Sequence, residues 1–402
     1  MITIKFKAVF IAHLISAPLL FGQTQTLDLS EALKLGMANS HLQTIIDGHR
    51  ELADGRVQAL STWDNPNLTL STEEIDQAGL NSRETYLLIS QRFERPGIRS
   101  LKIKASEQES AASEWRNQSR FLDFRTMIKA LFYETLHDQK RLKVLTQWVE
   151  DARSIAGIIE LRQQEGDVSG FDRRRLNAEL AEARSQLARN RGSHQASMTQ
   201  LKTVIGTEDI FELSGPLLPS LPEQKSGPSR HPDLLALDSE IKAAALEERA
   251  ASLWALPEFS LEAGIKTTRI GGVTEDGYFL SAKVPIPAFN RGKPALARAR
   301  AKSKIAQGEK ALIQSNNQAK IRGLQAQIQQ LRISRLEHQE QALHEARDLV
   351  GIARLAYREG EMALFALLDT LRTLRDSQLN GLALEMEARM RAIELEALRG
   401  GQ

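Results

Sequence analysis

Eight histidines, seven methionines and 51 carboxylates are the side chains of this sequence that can hold a metal or move a proton. The histidines are scattered, and none has the HxxxH or HExxH spacing that sets two imidazoles on one helical face. His338 and His344 are six positions apart and fall on different faces of a helix. Met386 and Met390 share a face at i, i+4, a spacing open to a soft-metal site, but core packing is the ordinary use of such a pair. Glu73, Glu74 and Asp76 crowd one stretch that reads either as solvated surface or as part of an ion-selecting ring. With no cysteine in the chain, disulfides, thiolate metal centres, cysteine nucleophiles and a lipidated N-terminal cysteine are all excluded. A phosphate-binding Walker loop, a GxSxG elbow and a dinucleotide fingerprint are also missing. The expectation is a non-enzymatic protein with no cofactor and no resident metal site.

The elements around these residues carry more information. The 402 residues are 42% hydrophobic, 26% charged and only 5% aromatic, a balance that suits long helices better than a thick core. Net charge is +2, with Lys and Arg interleaved among acids, so nucleic acid is not an expected partner. Lys5 and Lys7 precede an apolar run from Ala8 to Phe21, which is the layout of a secretory signal over residues 1–22. The other reading is an N-terminal membrane anchor, which His13 and Pro18 weaken, since a span needs about 20 apolar residues. No later stretch is apolar enough to be a transmembrane helix, so contact with a membrane would have to come from strands.

Two stretches supply such strands, and they are copies. WDNPNLTLSTEE begins at Trp63 and WALPEFSLEAG at Trp254. Trp63, Pro66 and Pro96 map onto Trp254, Pro257 and Pro287 with one offset of 191 positions. Each copy alternates apolar and polar residues twice, predicting β-hairpins over 67–94 and 258–286 with polar loops at Asp76–Ser82 and Thr267–Asp276. Strands of about ten residues match the tilted span of a membrane barrel, although a soluble sheet with one buried face has the same pattern. Four strands are too few to close a barrel, so the membrane reading requires an oligomer.

Long helices flank both hairpins. Ser30 is the expected N-cap of a helix reaching Thr62. Residues from Ile98 to Gln164 contain no proline and would extend about 100 Å as one straight helix. Leu142, Leu145, Val149, Ala152, Ala156 and Ile159 form a seam at spacings of three and four, the pattern of helices packed side by side. A turn at 165–170 and a helix to Ile205 complete a first repeat over 23–206. Four prolines make 207–230 a linker, and the plan recurs over 231–402 with its turn at 359–363. Leu336, Leu343, Val350 and Tyr357 continue the second seam at intervals of seven. Gly166 and Gly360 are 194 apart, so about three residues have been gained in the second long helix.

The two W-x-x-P hairpins, the PGIRS and PAFNRGKPALARAR passages after them and the G-D-V-S and Y-R-E-G turns resemble the TolC-like outer-membrane efflux proteins, in order and in duplicate. VPIPAFNRGKPALARARA is most similar to the cobalt–zinc–cadmium branch. The resemblance implies a mainly α fold with a transmembrane β part. Two β-hairpins per subunit would join a trimeric β-barrel, and long antiparallel helices would form an α-helical barrel reaching into the periplasm. It implies a passive outer-membrane channel of a tripartite efflux system exporting heavy-metal cations. The partners would be a homotrimer, a periplasmic adaptor, an inner-membrane RND transporter and outer-membrane lipid. A duct for protein secretion or drug efflux is the alternative within this fold, and a periplasmic coiled-coil scaffold without a pore is the alternative outside it.

The resemblance assigns sites too. Gly166, Asp167, Val168 and Ser169, with Gly360, Glu361, Met362 and Ala363, would lie at the periplasmic tip where the adaptor docks. Ordinary turn chemistry explains the same residues, and the two readings are compatible. Arg162, Asp172, Tyr357 and Arg358 are candidate polar gate residues, with a solvated helix face as the plainer reading. Trp63 and Trp254 suit either the inner aromatic belt of a membrane barrel or packing where helices meet strands.

Overall fold

The computed structural model describes residues 25–77, 80–94, 97–164, 169–209, 211–221, 231–255 and 258–401. The candidate signal segment 1–22 lies outside the described residues, as do Gly166, Asp167, Val168 and the side chain of Arg162.

A short strand, β1 (Gln25–Leu27), leads into α1 (Leu29–Met37) and α2 (Ser40–Ser61). The expected single helix from Ser30 is therefore two. Asp28, not Ser30, caps α1 by accepting the Glu31 amide at 2.8 Å, placing a carboxylate at the positive end of the helix. Asn39 then interrupts the run by accepting the amides of His41 and Leu42, which starts a new helix.

β2 (Asn67–Gln77) and β3 (Leu80–Phe93) follow, and then α3 (Ile98–Gln164), 67 residues without a break. α4 (Gly170–Ile205) returns along it and ends at Gly206, whose φ of 72° is the left-handed conformation that terminates helices. The segment read as a linker contains a strand, β4 (Phe211–Leu213), which pairs in parallel with β1. Three residues are too few to leave a periodic signal, and its stability comes from elsewhere. Gln139 of α3 donates to the Leu213 carbonyl at 3.0 Å and accepts the Leu213 amide at 2.9 Å, acting as a further strand. The side chains of Phe211, Leu213 and Leu217 sink into a cluster with Phe132, Leu136 and Leu201.

α5 (Pro232–Ser252), β5 (Phe259–Ile270), β6 (Val273–Lys283), α6 (Lys293–His338), α7 (His344–Arg358) and α8 (Leu364–Leu398) form the second half. Between α6 and α7 lies a π-helical turn, Gln339–Leu343. It corrects the even seam expected here. Leu324, Ile328, Leu343, Val350 and Tyr357 are buried, whereas Leu336 is 47% exposed. A π turn accommodates an extra residue, so the buried stripe shifts phase across it.

The two hairpins join edge to edge in one antiparallel sheet ordered β2-β3-β5-β6. Its strands run through the residues read as long loops. Gln77 pairs with Leu80, and Ile270 with Val273. Gly271 and Gly272, at φ 57° and 94°, make the second turn, where a two-residue connection needs positive φ at both positions. Polar residues disguised these strand ends. α3 is the spine of the helical part and packs on α1, α2, α4, α5 and α8. Among the described residues, no helix is long and apolar enough to cross a membrane.

Candidate functional site

Register divides the sheet into two unlike faces. On one face Leu68, Ile89, Ala263 and Leu280 form a row across all four strands. Leu70, Leu87, Ile265 and Tyr278 form the next. Most of these side chains are exposed, with Tyr278 96% and Leu280 82% open, although all but Ala263 are large and apolar or aromatic. Water would penalise such a band by about 25 cal/mol per Å2 of apolar surface, so a non-aqueous surrounding must cover it. Charge enters this face at Asp276, in the row it shares with Thr72, Thr85 and Thr267, and beyond that row Arg83 meets Glu74 at 3.0 Å.

The opposite face is mainly polar, although Leu88 and Phe279 lie on it, and it is internally paired. Lys266 bridges to Glu84 at 2.7 Å, the Tyr86 hydroxyl donates to Glu84 at 2.6 Å, and Lys283 reaches Glu262 at 3.1 Å. These residues were missed by sequence reasoning. Their alternate positions in the two hairpins were visible, but the pairing of β3 with β5 that brings Glu84 to Lys266 was not. The same pairing fixes Gly264, where an added Cβ would sit 2.1 Å from the Leu87 carbonyl oxygen. Of the acidic cluster Glu73, Glu74 and Asp76, register sends Glu73 to the polar face and the other two to the apolar face.

The base of the sheet meets the helices through aromatic rings. Phe93 stacks on Phe259 at 5.2 Å, Trp63 packs edge-on to Phe93 at 6.1 Å, and the Arg99 guanidinium lies 3.9 Å over the indole. Trp63 remains 55% exposed. Trp254 takes a different place, against Gly292 at the start of α6, where a Cβ would approach its own Cβ to 2.7 Å.

At the far end of the helices the structure separates the expected tip residues. Tyr357 is buried in a cluster with Ile155, Ile159, Leu364 and Leu367, and Met362 packs half-buried on that cluster. Arg358 lines the same crevice, beside an ion pair between Arg354 and Asp151 at 2.7 Å. Gly360, with φ 81°, ends α7, and the Glu361 amide donates back to the Ala356 carbonyl at 2.9 Å. Glu361 and Ala363 are exposed. Asp172 stays local. The Ser169 hydroxyl donates to its carboxylate at 2.8 Å and accepts its amide, which caps α4.

Midway along the helices, Arg335 meets Glu385 at 2.7 Å next to the π turn, both largely buried. His338 sits beside this pair with Ser377 at 3.2 Å from Nε2. Burial, and then the Arg335 charge, hold its pKa below the usual histidine value. His338 and His344 flank the π turn, and no group of three or more His, Asp or Glu able to hold a metal occurs among the described residues.

A sheet with a lipid-compatible face, a polar reverse face and two unpaired edges, set on helices about 100 Å long, defines a membrane conduit subunit, not a soluble globular domain. The family described as outer membrane efflux protein matches residues 49–207 and 228–401, and the chain belongs to that family. It is an outer-membrane protein with a TolC-like fold. Among its relatives, the pyoverdine export outer membrane protein OpmQ of Pseudomonas putida is 22% identical over 66% of this chain and 58% of its own length. The match thus spans little more than half of that relative. The cobalt-zinc-cadmium resistance protein CzcC of Cupriavidus metallidurans is 23% identical over 93% of this chain and 90% of its own. The solved structure of CusC, described in terms of folding and transmembrane channel formation, superposes with a TM-score of 0.77 over 94% of each chain at 16% identity.

Proposed function

We propose that three copies of this chain close into a passive channel through which heavy-metal cations leave the cell. The observation that carries this reading is the sheet, apolar on one face and polar on the other, with β2 and β6 lacking a partner strand among the described residues. Unpaired edges in lipid are costly, and a ring of copies removes them. A twelve-stranded barrel would then continue into a cylinder of helices. In this reading the channel works with a periplasmic adaptor and an inner-membrane RND transporter that supplies the energy. The turns at Gly166–Ser169 and Gly360–Ala363 form the docking tip, Arg162, Asp172, Tyr357 and Arg358 lie near its gate, and Trp63 and Trp254 sit close to the inner membrane interface. Heavy-metal export is favoured because CzcC is matched along nearly its whole length. The match to OpmQ supports a second reading, export of a larger organic molecule such as the pyoverdine that protein handles.

Purified protein in a planar lipid bilayer tests the channel. Discrete conductance steps from a detergent-solubilised trimer are expected, and a monomer that stays soluble without detergent and conducts nothing would refute the reading. Deleting the gene separates the two substrates, since loss of tolerance to zinc, cobalt or cadmium supports the first and unchanged metal tolerance with impaired release of an organic compound supports the second.

A further inference from the structure

The apolar face of the sheet ends in a groove where the helices begin. Phe93 and Phe259 pair across β3 and β5 at the same parity as Ile89 and Ala263, so both rings lie on the apolar face, in its last row. With Trp63 and the first turn of α3 they wall a groove of about 420 Å3. That volume falls within the roughly 300–1,000 Å3 of sites that hold small ligands. β3 and β5 are the inner strands of the sheet, so the groove is centred away from the free edges of β2 and β6, where another copy would pair.

Two charged side chains line the groove, and they differ in what they meet. Arg99 lies 3.9 Å over the Trp63 indole and donates to the Ser61 carbonyl at 2.6 Å, but no carboxylate pairs with it among the described residues. The neighbouring cations are neutralised, Arg92 by Glu258 and Lys102 by Glu94. Arg99 is thus the uncompensated cation at this level, and its planar fork of donors suits a phosphate. Glu94 lines the same groove, its side chain 33% exposed, with Oε1 taken by Lys102 at 3.2 Å and Oε2 without a partner among the described residues. The second repeat does not reproduce this set. At the offset of 191, Val284 and Pro285 stand where Phe93 and Glu94 do. Gly97 and Gly292, both with positive φ, precede α3 and α6, and two positions beyond them stand Arg99 and Pro294. Aromatic shelf, cation and carboxylate therefore occur together once per chain, which a general interfacial belt does not require.

We propose that this groove holds one phosphatidylethanolamine of the periplasmic leaflet, its phosphate on Arg99, its ammonium on Glu94 and its acyl chains on the stacked rings of Phe93 and Phe259. The inference rests on the reading of the sheet as membrane-inserted and adds a lipid of defined headgroup at its lower rim. A row of aromatic rings between an apolar band and charged helix ends is where a bilayer passes from acyl chain to headgroup. Leu261 and Ile89, 43% and 53% exposed, continue the apolar track from the rings along the sheet. The pair of charges selects among phospholipids. A headgroup with a phosphate and no amine leaves Glu94 facing an anion, and a quaternary ammonium has no N–H to donate to it. Ethanolamine meets both charges, each through a charge-assisted hydrogen bond.

The test uses full-length protein in detergent, stripped of lipid and offered equal amounts of phosphatidylethanolamine, phosphatidylglycerol and phosphatidylcholine. Native mass spectrometry then reads which lipid is retained and the mass of the assembly. One phosphatidylethanolamine per chain is expected, about tenfold or more above either competitor, the ratio that one charged hydrogen bond carries. Arg99→Gln should lower that retention by about the same factor. Glu94→Gln should still bind lipid but shift the preference towards phosphatidylglycerol, a change of selectivity that loosened packing would not produce. Arg291→Gln, an exposed cation at the base of the second hairpin, should alter nothing. If Arg99→Gln does not assemble, Ser100→Glu places a carboxylate in the groove wall with Arg99 kept, and it should cause the same loss. Equal retention of the three lipids by an intact trimer, or undiminished retention in Ser100→Glu, overturns the site and leaves the channel reading standing. A monomer that stays soluble without detergent overturns both.

Discussion

Each repeat meets the other along one side and is open along its other side, but the two open sides are built differently. At the base of the first hairpin the cations have partners within the chain. Arg99 lies over Trp63 and donates to the Ser61 carbonyl, Lys102 reaches Glu94, and Arg92 reaches Glu258. At the base of the second, Phe289 is fully exposed and Ile286 is 85% exposed, although Ile98, the counterpart of Phe289 at an offset of 191, is buried. The first long helix, α3, is continuous, whereas its counterpart is interrupted by the π turn. Duplication thus supplied two similar units, and each keeps one open side, the first along β2 and α2 and the second along β6 and α6. The comparison teaches that apolar positions left exposed in one copy, but buried in the other, mark where another surface belongs.

The line between the repeats runs down the pairing of β3 with β5, and disturbing it should have the largest effect. Gly264→Val places a side chain against the Leu87 carbonyl oxygen, where even a Cβ would sit 2.1 Å away. Backbone cannot yield as a side-chain tip does, so the cost should reach or exceed the ~3 kcal/mol end of overpacking penalties. The variant is expected to lose the folded, heat-modifiable band of a membrane-inserted sheet on semi-native gels. Gly277→Ala, on β6 with its nearest contact at 4.0 Å, should keep it. Equal behaviour of the two variants would mean that the repeats do not meet through this strand pair.

The next effect concerns the interruption that only the second repeat has. Arg335 and Glu385 have side chains 12% and 14% exposed, and Arg335 also donates to Gln339 within the π turn. Glu385→Ala leaves a buried guanidinium without its carboxylate, a change that costs about 3–5 kcal/mol in comparable buried pairs. A large fall in midpoint is expected in chemical denaturation of the helical part. Glu179→Ala, at the pair that links α4 to α8, should cost less because the partner left behind, Arg372, is 33% exposed and can turn to water. The opposite ranking would show that the pair by the π turn is not a principal tie.

How much of this was legible in the sequence follows the range of each interaction. α3 was readable to its ends because 67 residues of uninterrupted periodicity outweigh local noise, and both hairpins were readable from alternation. The turns were misjudged because Asn81, Ser82, Thr267 and Thr274 fit a strand as well as a loop, and only cross-strand register distinguishes the two. β1 and β4 were invisible, since Gln139 sustains them from 72 residues before Phe211. The π turn was masked by the sevenfold spacing of Leu336, Leu343, Val350 and Tyr357, which continues unbroken in sequence while the wall shifts phase. At the tip, glycine spacing located the Gly360 turn, but which neighbours were core and which were exposed depended on packing from α3 and α8.

The smallest effect separates the two tips. α4 begins at Ser169, whose hydroxyl caps the helix through the Asp172 amide, with a carboxylate in the first turn. α8 begins at Ala363, which has the same extended backbone, ψ 149° against 147°, but no side chain able to cap. Ser169→Ala should therefore cost about 1 kcal/mol, and Ala363→Ser should return a similar amount at the other tip. Because neither residue is buried, core packing should not obscure the comparison. Amide exchange in the first turns of α4 and α8 is the measurement, with faster exchange expected in the first variant and slower exchange in the second. A change of equal sign in both would mean that the tips are ordered by contacts other than their caps, and the difference between the repeats would then end at the π turn.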